Sequence, residues 1–229
     1  MQLCKRPTHG RLKSTVNGVH PHMSGKLITL EGGEGAGKSS VIASLEGLLA
    51  DGGHPYVMTR EPGGTSFGEA LRHAVLHAHD SVAPEAELLA MFSARAQHLH
   101  QVIRPALAEG KIVLCDRFVD SSYAYQGGGR GLPEGTIRTL EALFVGIRPS
   151  LTLYLDVLPE VGNARVRTRA NGPDRIEREQ TAFFDNVRAA YLQRARDEPE
   201  RIKVIDACRP QVEVARSAGQ VLASFLVSS

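Results

Sequence analysis

The sequence predicts an α/β fold in which a parallel β-sheet is covered by helices. Two observations support this prediction: short apolar runs alternate with longer helical patterns, and the first run leads directly into a glycine-rich motif that is followed by a helix. With 229 residues, 42% of them hydrophobic, the chain can bury one substantial core. This length suits a single domain or a domain that carries a small lid.

Five apolar runs have the length and composition of buried strands, and seven periodic segments between them have the pattern of helices. The predicted strands are 27–30, 56–58, 112–115, 151–155 and 202–205. The predicted helices are 38–50, 67–77, 85–108, 134–145, 159–169, 178–196 and 212–226. Three glycine- or arginine-rich stretches, 60–64, 126–131 and 165–175, are predicted as loops that line a site.

The beginning of the chain differs from the rest. Its first 25 residues contain Lys5, Arg6, Arg11 and Lys13 but neither an acidic residue nor the apolar segment of a secretory signal. An organellar targeting peptide is the alternative, but proline and glycine interrupt any amphipathic helix there. We therefore expect a disordered extension over residues 1–22 and one domain over residues 23–229, with a lid at about 165–177.

Charge and cysteine content exclude several classes of protein. The chain has 27 Lys and Arg against 25 Asp and Glu, and this balance gives no general attraction to nucleic acid or to an anionic membrane. No apolar run approaches the roughly 20 residues that span a bilayer. Three scattered cysteines are too few for a disulfide framework, so we expect a reducing, cytoplasmic location.

The strongest motif follows the first predicted strand. It fits G-x-x-x-x-G-K-[ST] in the required strand, loop and helix setting, which predicts a P-loop that binds the triphosphate of ATP. Lys38 is expected to reach the β- and γ-phosphates, and the Ser39 hydroxyl to ligate Mg²⁺. The motif is Gly32-Gly33-Glu34-Gly35-Ala36-Gly37-Lys38-Ser39.

A P-loop alone does not identify the reaction, but two arginines suggest a second anionic substrate. Arg60 and Arg117 each follow a predicted strand, where open α/β sheets bind their ligands. Asp116 lies beside Arg117 and could hold Mg²⁺ through water or orient the arginine. The guanine-reading motif Asn-Lys-x-Asp is missing from the sequence, which argues against a GTPase switch.

These segments together closely resemble bacterial thymidylate kinases, over roughly residues 26–226 and in the same order. The resemblance depends on 31–39, on Thr59-Arg60-Glu61-Pro62-Gly63-Gly64-Thr65, on Asp116-Arg117 followed by 121–131, and on Asp174-Arg175-Ile176-Glu177. It implies a three-layer P-loop NTPase fold of the nucleoside monophosphate kinase type, with a five-stranded parallel sheet, a short arginine-rich lid and a homodimer.

The resemblance also implies transfer of the γ-phosphate of MgATP to dTMP. Lys38, Asp116 and Arg117 would then be catalytic, and the ATP site would cover 32–40, including Ser40. Glu34 would face the deoxyribose 3′-hydroxyl, Arg60 and Arg117 would hold the dTMP phosphate, and Arg95 would bind thymine O4. Ser122 and Gln126 would line the base or phosphate end, and Tyr125 would pack against the sugar.

One position departs from the family. The phenylalanine that usually stacks on thymine is replaced by Met91, and Phe92 follows it. Adjacent helical residues point about 100° apart, so either Met91 contacts the base through its thioether or Phe92 stacks on it.

The basic lid resembles that of family members whose P-loop lacks an arginine. Arg165, Arg167 and Arg169 alternate before a turn, so at most one or two of them can face the phosphates. We expect Arg169, or else Arg167, to stabilise the transition state.

The remaining candidates have plainer interpretations. The i, i+4 spacing of His73 and His77 does not by itself predict a metal site. His98 and His100 are expected on a helix surface. Cys115 is expected in the core. The alternatives to a thymidylate kinase are a related kinase with another nucleotide or deoxynucleoside acceptor, and a P-loop binding protein with slow ATPase activity.

Overall fold

The computed structural model describes residues 24–78, 80–166 and 174–228. The proposed extension over residues 1–22 lies outside these ranges, as do Arg167 and Arg169 of the proposed lid. No helix within the described residues is both long enough and apolar enough to cross a membrane.

The five predicted strands are present and form one parallel sheet in the order β2-β3-β1-β4-β5. Each extends one to three residues further than the apolar run that predicted it, since strand pairing continues into the residues at the ends. The strands are β1 Lys26–Gly32, β2 Tyr56–Arg60, β3 Ile112–Asp116, β4 Leu151–Asp156 and β5 Ile202–Asp206.

Helices cover both faces of this sheet. They are α1 Lys38–Asp51, α2 Ser66–Leu76, α3 Pro84–His98, α4 Arg104–Ala108, α5 Val119–Ser122, α6 Glu134–Phe144, α7 Pro159–Val166, α8 Thr181–Asp197 and α9 Gln211–Val227. On one face α1 and α9 bury residues such as Leu45 and Leu222 against β1, β3 and β4. On the other face α3 and α4 pack against β3, and α8 packs against Tyr154 of β4.

Two π-helical segments depart from the sequence prediction. The predicted helix 85–108 is interrupted by a π-helical turn at Leu99–Ile103 between α3 and α4. The stretch 126–131, predicted as a loop, instead belongs largely to a π-helix at Tyr123–Gly129. Its glycines allow close packing on α8, because a Cβ on Gly129 would lie 2.4 Å from the Phe183 ring.

Strand register brings the carboxyl ends of the central strands together. Asp116 of β3 is paired with Leu30 of β1 on one side and with Arg60 of β2 on the other. The loop after β1 therefore begins at the same edge of the sheet as the last residues of β3 and, one strand further, of β2. This is the edge at which parallel α/β sheets bind ligands.

Candidate nucleotide-binding site

The loop between β1 and α1 has the geometry of a phosphate-binding cradle. Gly35 and Gly37 have left-handed φ values of 70° and 86°, which residues with a Cβ rarely adopt. Lys38 folds back over the loop, and its Nζ donates to the carbonyls of Gly32 at 3.0 Å and Gly33 at 3.4 Å. Burial lowers the pKa of Lys38, and the positive charge of Arg117 acts in the same direction.

A cavity of about 490 Å³ opens beside this loop. It brings together most of the side chains that the sequence indicated, from the P-loop, from the ends of β2 and β3, from α3 and from the segment after β3. Of the predicted residues, the lining includes Glu34, Gly35, Ala36, Gly37, Lys38, Ser39, Arg60, Met91, Arg95, Asp116, Arg117, Ser122, Tyr125 and Gln126.

Among the predicted site residues that the structure describes, four do not line the cavity. The Gly32 and Gly33 carbonyls instead accept from Lys38, and the Ser40 hydroxyl accepts a hydrogen bond from the Gln211 amide. Phe92 is buried in the core, with the Arg95 guanidinium 4.9 Å from the centre of its ring. Because Met91 and Arg95 are four residues apart on α3, they share the face that looks into the cavity.

Arg117 and Glu34 form a charged pair across the cavity. Arg117 Nη2 donates to Glu34 Oε1 at 2.7 Å, and the Tyr125 hydroxyl donates to the same oxygen at 3.0 Å. The guanidinium also lies over the Tyr125 ring, 4.8 Å from its centre. Burial raises the pKa of Tyr125, so its hydroxyl stays protonated as a donor.

The backbone of Arg117 is held in an unusual conformation. Its φ of 69° is the one positive value found among the described residues other than glycine. Two backbone contacts to β1 fix it there: Arg117 N–H donates to Leu30 O at 2.9 Å, and Phe118 N–H donates to Glu31 Oε1 at 2.8 Å. Burial and the nearby Asp120 raise the pKa of Glu31 to about 7.

Asp116 and Ser39 are the residues suited to a divalent cation. Within the described part of the chain, Asp116 Oδ1 is buried and has no hydrogen-bond partner. A buried carboxylate oxygen normally has a partner, so this atom fits a hydrated cation. Ser39 is exposed at the start of α1 and lines the same cavity.

Arg95 is fixed by three contacts beneath the cavity. Nε donates to Glu61 Oε2 at 2.6 Å, Nη1 to Ser122 Oγ at 3.1 Å and Nη2 to Phe118 O at 3.0 Å. His98 supports the same carboxylate, with Nδ1 3.0 Å from Glu61 Oε1.

The predicted surface position of His98 is therefore wrong. The side chain is fully buried, and its Nε2 lies 2.6 Å from Thr59 Oγ1. Its partners come from β2 and the loop that follows, so the pattern of α3 alone could not reveal them.

Arg60 and Arg72 line the cavity from β2 and α2. Arg60 Nη2 donates to both carboxylate oxygens of Glu69, at 3.0 and 2.9 Å, and Arg72 Nη1 donates to Pro62 O at 3.2 Å. Arg72 was not predicted from the sequence as a site residue. Its place on the helix directly after the 59–65 motif could have indicated that it lines the cavity.

The lid region is described on both sides of residues 167–173. Before them, Arg165 Nη1 donates to Gly35 O at 3.2 Å and to Ala207 O at 2.8 Å, which ties the end of α7 to the P-loop. After them, Asp174, Ile176 and Glu177 line the cavity. Asp174 Oδ1 accepts from the backbone N–H groups of Ile176 and Glu177, both at 2.9 Å.

Comparisons of sequence and of structure all match this chain to thymidylate kinases. The family model described as thymidylate kinase matches residues 30–218. A thymidylate kinase of Methylococcus capsulatus is 52% identical over 207 residues, covering 88% of this chain and 99% of the relative. One of Pseudomonas entomophila is 52% identical over 206 residues, covering 89% and 98%. The crystal structure of thymidylate kinase from Ehrlichia chaffeensis superposes with a TM-score of 0.70 at 30% identity, covering 86% of this chain and 98% of that one.

Proposed function

The chain belongs to the thymidylate kinase family, and on that premise we propose how its residues share the transfer of a phosphoryl group from ATP to dTMP. The protein is a dTMP kinase that forms dTDP and ADP. The observation that carries the division of roles is that Lys38 of the P-loop and Arg117 of the β3 end line one cavity. Two polyanionic substrates such as ATP and dTMP can approach each other only where cationic side chains neutralise both of them.

The donor side is the P-loop. Backbone N–H groups of 32–40 and the positive end of α1 bind the ATP phosphates, and Lys38 moves from the Gly32 and Gly33 carbonyls to the β- and γ-phosphates. Ser39 and Asp116 would hold Mg²⁺, which when bound neutralises charge between the β- and γ-phosphates. The buried, unpartnered Asp116 Oδ1 supports this assignment within the described residues.

The acceptor side lies between β2, β3 and α3. Arg60 and Arg117 bind the dTMP phosphate, whose oxygen attacks the γ-phosphorus while the bond to the β-phosphate oxygen breaks. Glu34 faces the 3′-hydroxyl, and Tyr125 packs on the sugar where a 2′-hydroxyl would be. The acceptor oxygen is already ionised, so the transfer needs no general base.

The base lies against α3 and the segment after β3. Arg95 donates to thymine O4, and Ser122 and Gln126 line the same end of the cavity. Met91 contacts the base with its thioether, which is supported by its place in the cavity lining and by the burial of Phe92 in the core.

A lid arginine stabilises charge on the migrating group. Arg165 contacts the Gly35 and Ala207 carbonyls, which favours Arg169 or Arg167 for this role. The enzyme acts in the cytoplasm, where a reducing environment maintains thiols such as the free Cys115 and Cys208.

The enzyme works as a homodimer. Four of the exposed large apolar side chains lie on helices that adjoin one another: Phe67 on α2, Leu89 on α3, and Leu143 and Phe144 on α6. Such a cluster is typical of an interface between proteins.

ADP release measured with different acceptors tests the reaction and the lid together. We expect ADP release that depends on dTMP. ADP release with a different acceptor would favour a related kinase, and ADP release without any acceptor would favour a P-loop binding protein with slow ATPase activity.

Arg169→Ala should lower kcat by about 10²-fold or more with little change in dTMP affinity, as expected for a contact made mainly in the transition state. Normal kcat in Arg165→Ala, Arg167→Ala and Arg169→Ala alike would contradict a catalytic lid.

A further inference from the structure

A buried carboxylate lies behind the base end of the cavity. Glu87 is on α3, one helical turn before Met91, and its side chain is 0% exposed. Gln126 Nε2 donates to its Oε1 at 2.9 Å, and Arg130 donates to both oxygens at 3.4 and 3.3 Å. Arg175, at the end of the lid region, donates to Oε2. Three side chains from two segments far from Glu87 in the sequence therefore donate to one carboxylate.

These donors keep Glu87 ionised. Burial alone would raise its pKa, but the hydrogen bonds from Arg175 and Gln126 and the charge of Arg130 outweigh it and hold the pKa below its ordinary value. An ionised carboxylate accepts hydrogen bonds and cannot donate them. The neighbouring amide must therefore direct its NH₂ group at Glu87.

Because the NH₂ group of Gln126 points at Glu87, the other end of the amide, its carbonyl oxygen, is available to a ligand. Gln126 is nearly fully buried and lines the cavity. Its Nε2 is bonded to Glu87, and its Oε1 accepts no hydrogen bond from any described residue. The carbonyl oxygen is therefore the acceptor that the amide can offer to a bound base.

We propose that Glu87 is a positioning residue that sets the choice of base, because it holds the Gln126 amide with its carbonyl oxygen available to the ligand. This inference rests on the proposed dTMP site. Thymine presents an acceptor at O4 and a donor at N3–H, which match the donor of Arg95 and the acceptor of Gln126. Cytosine presents a donor at N4 and an acceptor at N3, so both contacts become repulsive.

Glu87→Gln tests this positioning with almost no change in shape. Arg130 and Arg175 will continue to donate hydrogen bonds to the oxygen of the new amide at position 87. The NH₂ group of that amide will therefore face Gln126. Gln126 must then turn and present its own NH₂ group to the base. A mismatched buried hydrogen bond costs roughly 1–3 kcal/mol, so we expect the ratio of the dCMP Kd to the dTMP Kd to fall about tenfold or more. The Kd of ATP should not change.

Arg130→Met is the matched control. It also removes an ion pair of Glu87 but leaves the bond from Gln126, so it should lower stability and leave the ratio of the two Kd values unchanged. The exchange Glu87→Gln with Gln126→Glu should restore an acceptor toward the base and recover much of the ratio. An unchanged ratio in Glu87→Gln, or an equal fall in Arg130→Met, would overturn the proposal.

Two measurements on the wild-type enzyme complete the test. N3-methyl-dTMP should bind at least about tenfold more weakly than dTMP, since it lacks the N3–H donor; equal binding would overturn the proposal even if Glu87→Gln did not fold. If the wild-type enzyme did not prefer dTMP to dGMP, the proposed dTMP site itself would be wrong, which is a separate result.

Discussion

Arg95 and Arg60 each pair with a glutamate, but only the Arg95 pair is shielded from water. Arg95 and Glu61 are 2.6 Å apart with both side chains 3% exposed, whereas Arg60 and Glu69 are 2.9 Å apart with exposures of 51% and 43%. Loss of one buried partner leaves an uncompensated charge, while solvent screens an exposed pair. The two pairs should therefore differ in their contribution to stability.

Glu61→Gln should lower the free energy of unfolding by about 3–5 kcal/mol, because Arg95 loses its buried counter-charge. Glu69→Gln, the matched control in the same region of the chain, should cost less than about 1 kcal/mol. Urea denaturation of both variants measures the difference. Equal costs would mean that the Arg95 pair is not shielded from water.

Glu31 should make stability depend on pH. Its carboxylate accepts from Phe118 N–H, Ser121 Oγ and the Tyr191 hydroxyl, but burial first and Asp120 second raise its pKa from 4.5 to about 7. The folded state therefore binds the proton more tightly than the unfolded state. The stability that this group contributes is complete below pH 4.5 and is lost as the pH rises through about 7.

Glu31→Gln removes this titration. Between pH 4.5 and 7, the free energy of unfolding of the wild-type enzyme should fall relative to that of the variant, by roughly 1–3 kcal/mol. Denaturation at several pH values measures the difference, and Arg117 and Asp120 remain in place in both proteins. Parallel pH profiles would show that Glu31 does not titrate in this range.

Helix α7 packs directly on the P-loop, and two glycines make this contact possible. A Cβ on Gly162 would lie 2.2 Å from Glu34 O, and a Cβ on Gly35 would lie 2.2 Å from Gly162 O. Backbone atoms cannot move aside as a flexible side chain can. Helix α7 and the P-loop therefore depend on each other for their positions.

Gly162→Ala should displace the P-loop and weaken ATP binding by about tenfold or more, because a misplaced cradle loses several backbone contacts to phosphate. Gly47→Ala on α1 is the control, since a Cβ there meets nothing within 4 Å. That change should stabilise the protein by roughly 0.5–1 kcal/mol and leave ATP binding unchanged. Calorimetric ATP titration separates the two variants, and equal ATP affinities would contradict the coupling.

Strands were easier to predict than the segments that pack around the site. Buried parallel strands form uninterrupted apolar runs, so all five strands were found from composition. The π-helix at Tyr123–Gly129 was predicted in part as a loop, because glycines disfavour helices and the facing Phe183 lies far along the chain. Its conformation depends on packing, which local propensity does not contain.

The candidate site also has parts that the sequence predicts and parts that depend on packing. Motifs such as the P-loop located the residues that line the cavity, since each motif carries its chemistry in a short stretch. Glu87 and His98 were not recognised as buried, because their partners lie on other elements: Arg130 and Arg175 for Glu87, and Thr59 for His98. Supporting residues of this kind become visible only once the fold is known.

The apolar side chains exposed on neighbouring helices are the basis of the proposed homodimer. Helix α3 contacts both α2 and α6, so Phe67, Leu89 and Leu143 lie on adjoining elements. Leu143 is 67% exposed and Val212 of α9 is 71% exposed, but α9 packs on the opposite face of the sheet. The two positions are thus similarly exposed but lie on different surfaces.

Leu143→Glu should weaken the proposed homodimer by at least about tenfold, because an unpaired charge would be buried in the proposed apolar interface. Val212→Glu adds the same charge at an equally exposed position and should leave association unchanged. Sedimentation equilibrium over a range of protein concentrations measures the dissociation constant of each variant. A monomeric wild-type enzyme would contradict the dimer, and an equal effect of the two substitutions would place the interface elsewhere.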